Sequence, residues 1–234
     1  MQKPTLFAAA LLALSVAAHA DLKVTQTTQI DNPQIKAYME TMTPQQRAAM
    51  SHGGGMMAGL MPSKTIVYFS GKKTRADLGQ VTVLYDGTTQ KIVTLNRVAH
   101  TYTTRPYQSA AAGQFQATVK PVGAVKTIQG HPARHYLMTA TLASQPGTII
   151  QGDIWAAQDL PSPPSLAGGG PFAATQSLLN KVKGYPLITN IVATGSPMGN
   201  TTFKSTVTSV SKAPLPASTF AIPAGYKKAA VEGG

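Results

Sequence analysis

Apolar and polar positions divide the chain into an N-terminal apolar stretch, a short helical region and a long series of strands. Leu6 to Ala18 is dominated by Ala and Leu. Leu22 to Ile30 then alternates in part and is rich in Thr, which predicts a first strand. Asn32-Pro33 offers an N-cap and a first helical residue, and Thr43-Pro44-Gln45-Gln46 repeats that signal with a capping-box partner. Two short helices, or one broken helix, are expected between 33 and 52, ended by Gly53-Gly54-Gly55.

From Lys64 onward the β signals dominate. Thr65–Phe69, Lys73–Leu78, Val81–Tyr85, Lys91–Leu95 and Val98–Thr103 are short runs with Gly-, Asp- or Lys-marked boundaries, as in an antiparallel meander. Residues 105–121 hold few long apolar side chains and fit a helix or a loop equally well. Ala124–Gln129, His135–Leu142 and Thr148–Ala157 resume the strand pattern, broken by Gly130-His131-Pro132 and Gln145-Pro146-Gly147. A flexible Pro/Gly loop is expected over 161–171, then a helix from the spacing of Phe172, Leu178, Leu179 and Val182. Pro186–Gly195 and Thr201–Val210 read as closing strands, with Leu215–Tyr226 a Pro-punctuated tail.

Thr65–Phe69, Val81–Tyr85 and Leu187–Val192 carry apolar residues on both alternating faces. One-sided burial would not require that. The expected fold class is therefore α+β and mainly β: a curved antiparallel sheet, an unclosed half-barrel, with helices covering its concave side.

The first apolar stretch changes the address rather than the fold. Lys3, the run to Ala18 and the small residues of Ala18-His19-Ala20 form the three parts of a secretory signal peptide over residues 1–20, cleaved near Ala20. The run is shorter than the ~20 residues that cross a bilayer, so no membrane span is expected. Residues 21–234 then form one β-rich domain, periplasmic or secreted, with a Met-rich helical insertion over 33–63. The chain has no cysteine. That removes disulfides, thiol chemistry and a lipid-anchor acceptor, and leaves core burial to hold the domain together.

Lys and Arg number 20 against 8 Asp and Glu, a formal charge of +12. Charged residues are nevertheless 12% of the chain, about half the usual share near 25%, so basicity comes from scarce acids rather than from basic clusters. Nucleic-acid binding is not expected, because no aromatics interleave the basic residues. Anionic envelope components suit the cationic surface better.

Four segments resemble exported bacterial proteins with the fold of the lipoprotein carriers LolA and LolB, and in particular an uncharacterised branch of them. They are Val67–Asp77, Gly152–Pro161, Lys183–Leu187, and Leu215-Pro216-x3-Phe220-x-Ile222-Pro223-x-Gly225-Tyr226. The resemblance implies an unclosed barrel plugged by helices, with an apolar concave surface suited to acyl chains and no chemistry performed on them.

Six methionines, Met39, Met42, Met50, Met56, Met57 and Met61, surround His52. Flexible thioethers suit a lid over the sheet or a grip on variable apolar ligands, which makes Met50, Met56 and Met57 candidate cavity residues. The alternative is a Cu(I) site of Met50, His52, Met56 and Met57, since thioether and imidazole suit that soft ion. His131-x3-His135 has zinc spacing for a helix, but Pro132 and the strand pattern exclude that geometry. The eight acids are scattered singly and no nucleophile elbow is present, so neither enzymatic activity nor a cofactor is expected. Trp155, Tyr68 and Tyr85 lie in expected strands and are candidates for lining an apolar cavity. The reading is an exported binding protein for a lipid or another apolar ligand. A protein-interaction or stress-sensor module in the envelope is the second reading, and copper binding the third.

Overall fold

The computed structural model describes residues 21–43, 45–46, 63–107, 115–143, 145–163, 179, 181–196 and 199–229. Its frame is one twelve-stranded sheet. The first strand, β1 (Leu22–Asp31), leads into helix α1 (Pro33–Glu40), after which β2 (Ser63–Ser70), β3 (Lys73–Leu78), β4 (Val81–Asp86), β5 (Lys91–Asn96) and β6 (Thr101–Pro106) form a meander. A second meander runs through β7 (Phe115–Ile128), β8 (His131–Leu142), β9 (Gln145–Ala157), β10 (Tyr185–Thr194) and β11 (Thr201–Lys212). The two join where β1 pairs antiparallel with β11 over ten residues of β1, Leu22 to Asp31. A last strand, β12 (Lys227–Lys228), pairs in parallel with β6 at the far edge. The order is β12-β6-β5-β4-β3-β2-β1-β11-β10-β9-β8-β7, open at both ends.

Local chemistry sets the hairpins. Gln129 and Gly130 both have positive φ, 51° and 79°, so the β7–β8 turn has the left-handed pair that matches strand twist. The strand pattern resumes earlier than the Gly130-His131-Pro132 break suggests: Pro132 pairs with Thr127, before β9 joins β8 at Ala133. There its missing N–H disrupts no ladder to β9. Residues 115–121, open between helix and loop in the sequence, belong to the edge strand β7. Gln145 to Gly147, expected as a break, opens β9.

One face carries the core. The register aligns Leu22 with Phe69 and Val24 with Val67, and Ala76 lies opposite Val67 on the next strand. These residues pack with Tyr185, Leu187, Val207 and Leu160 from the second meander. A second cluster joins Tyr136, Met138, Ile150, Ile154, Val182 and Ile191. Each such side chain contributes about 1.5–3 kcal/mol when fully buried.

The described residues include little of the helical cover expected on the concave side. Helix α1 is capped as its sequence indicates, with the Asn32 side chain accepting from the Ile35 N–H at 3.0 Å, yet it buries none of its residues. Thr43 and Gln46 exchange the reciprocal bonds of a capping box. The face opposite the core is crossed by the C-terminal tail. The Leu215 N–H donates to Asp21 at 2.6 Å, the Arg75 guanidinium donates to the Thr219 carbonyl at 3.0 Å, and β12 closes on β6. This strap crosses the face on which Thr82, Leu84 and Leu95 are buried, which explains why β4 is apolar on both sides. Most of the helix expected after Phe172 and all of the Met-rich run from Met50 to Met61 lie outside the described residues.

Candidate functional site

The apolar face of the open sheet is the feature a ligand could use. It runs from Ala76 on β3 to Met138 on β8 without a buried charge among the described residues. Polar groups on it are few and paired. The Tyr185 hydroxyl donates to Gln26 Oε1 at 3.1 Å, and its ring meets the edge of Phe69 at 5.9 Å. Burial pushes that hydroxyl far above the ordinary tyrosine range, so it stays a neutral donor. The Gln158 amide donates to the Tyr136 hydroxyl at 3.0 Å. At one end the chain folds back tightly: Gly184, with φ 92°, brings its backbone so close to Ala157 that a Cβ there would clash. The Ser162 hydroxyl bonds both the N–H and the carbonyl of Gly184, tying the two segments that flank the loop.

The three aromatic candidates do not meet on this face. Tyr68 pairs with Lys23 and Arg75 on the opposite side, its ring 5.7 Å from each cation. Arg75 is held in turn by Asp77 at 2.9 Å, and Asp77 accepts from the Thr82 hydroxyl at 2.7 Å. Tyr68 thus belongs to a charged row beside the strap. Tyr85 shares the core face by register but lies beside the β4–β5 turn, 5.0 Å from Tyr107, with its hydroxyl accepting from Gln90. Burial raises the Tyr107 hydroxyl, as does neighbouring Tyr85.

Trp155 alternates with core residues Ile154 and Ala156. The Lys126 ammonium stands 3.9 Å from its ring centroid, and His135 stacks on it at 4.4 Å with the rings 3° apart. Asp153 Oδ2 lies 3.1 Å from His135 Nε2, at ion-pair distance without hydrogen-bond alignment. His131 Nδ1 lies 2.7 Å from Asp159. Two of the acids that look isolated in sequence therefore each meet a histidine, and both histidines belong to strand β8. These are two separate pairs, and no cluster of three metal-ligating groups forms among the described residues. Met50, His52, Met56 and Met57 lie outside them.

Sequence reasoning passed over Tyr185 and Gln26 as site residues. A polar side chain at an inward position is a visible signal, but its partner 159 residues away is not.

Residues 39–226 match the family described as a domain of unknown function, DUF4412. The chain belongs to the DUF4412 family. The match takes in every strand from β2 to β11. No curated protein sequence matches the chain. Among solved structures, a LolA superfamily protein from Nitrosomonas europaea is 8% identical over 86% of this chain and 90% of its own, with a TM-score of 0.33. PNGF-II is 13% identical over 89% of this chain, with a TM-score of 0.46. This chain spans 30% of PNGF-II. No described helix is long and apolar enough to cross a membrane.

Proposed function

We propose that this DUF4412 protein is exported, cleaved near Ala20, and holds a lipid or other apolar ligand in the cell envelope without transforming it. The observation that carries this reading is the largely apolar face, without a buried charge among the described residues, of a sheet that does not close on itself. A closed barrel or a sandwich would use such a face up internally, whereas an open sheet can share it with a ligand. The sparse polar groups on it are already paired, which favours acyl or other apolar groups over polar ones. Met50, Met56 and Met57 of the Met-rich insertion are the residues proposed to grip the ligand, because flexible thioethers adapt to variable apolar shapes.

Lipid extraction and mass spectrometry of the protein purified from its envelope fraction test this. One lipid per chain is the expected result. A protein that carries none, and that fails after delipidation to bind a fluorescent fatty acid, would refute it.

A further inference from the structure

The outermost strands, β7 and β8, have an unusual surface for a sheet edge. Their 14 and 12 residues contain no carboxylate, yet carry Lys120, Lys126 and Arg134, all exposed. Midway along β7 the register slips between Pro121 and Val125, and Gly123 turns with φ 72°. Apolar side chains stand in solvent around this bulge: Val122 is 39% exposed, Val125 60% and, opposite Lys120 on β8, Leu137 46%. Two acids stand on or beside the neighbouring strand β9: Asp159 is 2.7 Å from His131, and Asp153 is 3.1 Å from His135. The result is an exposed apolar ridge flanked by the cations Lys120 and Arg134, with Lys126 reaching over the Trp155 ring.

We propose that this rim docks edge-on to an anionic lipid bilayer. Cations near such a surface are drawn to its headgroups, each strengthening attachment about fivefold, and short apolar side chains between them reach the interfacial layer. A second copy of the chain is a poorer occupant. Pairing β7 with itself would crowd like charges at Lys120 and Lys126, Pro121 lacks the N–H, and the bulge interrupts the ladder. The proposal does not rest on the ligand reading above, since a protein with an empty core face has the same rim.

Co-sedimentation with vesicles of mixed phosphatidylcholine and phosphatidylglycerol tests it, using the chain from Asp21 after delipidation. Attachment is expected to the mixed vesicles, to fall at high salt, and to be weak on pure phosphatidylcholine. Replacing Lys120→Gln and Lys126→Gln together should weaken it roughly thirtyfold. The control pair Lys64→Gln and Lys204→Gln removes the same charge elsewhere on the sheet and should leave attachment nearly intact. Val122→Ser with Val125→Ser should also weaken it while leaving the melting temperature unchanged, because both residues are exposed. No attachment to anionic vesicles, equal loss in the control pair, or a concentration-dependent dimer abolished by the rim substitutions would each overturn the proposal.

Discussion

Gly184 shows how much can depend on one missing methyl group. Its φ of 92° favours glycine, and a Cβ there would run into the Ala157 backbone, so no side-chain rearrangement relieves the contact. Gly184→Ala should therefore destabilise the fold by about 2–4 kcal/mol in urea denaturation. Tyr185, next in sequence, separates packing from hydrogen bonding. Tyr185→Phe should cost about 1 kcal/mol for the lost bond to Gln26, and Tyr185→Ala about 3–5 kcal/mol, because the whole buried ring is removed. At this scale sequence chemistry was informative about capping: the Asn32 and Thr43 caps form as their spacing indicates. It was less informative about site membership. Tyr68, Tyr85 and Trp155 are aromatic residues in strands, but which face each presents depends on strand register, and register places Tyr68 away from the core face that Tyr85 shares.

Among the elements, the C-terminal strap was the least visible in sequence. A Pro-rich tail has no periodicity that reports what it covers, and the apolar doubling of β4 was the visible half of the same contact. Half of β7 is hidden for a related reason: Ala124–Gln129 shows a strand pattern, but an edge strand needs few long apolar residues, so 115–121 gives none. The strap has a titratable anchor. Asp21 accepts bonds from the Ser70 side chain and then the Leu215 N–H, and both hold its carboxyl below the ordinary value of 3.8. Because the folded-state value is depressed, this anchor acts fully above pH 3.8 and is lost as pH falls through the lower folded value. The Leu215 amide resonance should follow that titration with a midpoint below 3.8, and in Asp21→Asn the titration should vanish. Arg75→Ala removes the second anchor, and protease cleavage within 213–229 should then accelerate while the rest of the sheet stays resistant.

Across the whole molecule, the alternation of the strands foretold a mainly β fold and an antiparallel meander, but not that two meanders join through the first strand and the last long one. That joint decides cooperativity. Leu22, Val24, Val67 and Phe69 come from one half of the sheet and Leu160, Tyr185, Leu187 and Val207 from the other, yet they share one core. Neither meander can expose that core without exposing the other's side of it, so the described sheet should unfold as one unit. Trp155, the sole tryptophan, reports from β9 in the second half, whereas far-UV circular dichroism reports from both. The two signals should give the same urea midpoint. Val24→Ala, a substitution in the first half at a side chain with 0% exposure, should lower both midpoints together by the equivalent of about 2 kcal/mol. If the dichroism transition shifted while the Trp155 transition stayed in place, the β1–β11 joint would be a docking contact between two independently folding halves, and the apolar face would open by hinging there instead of by local exposure.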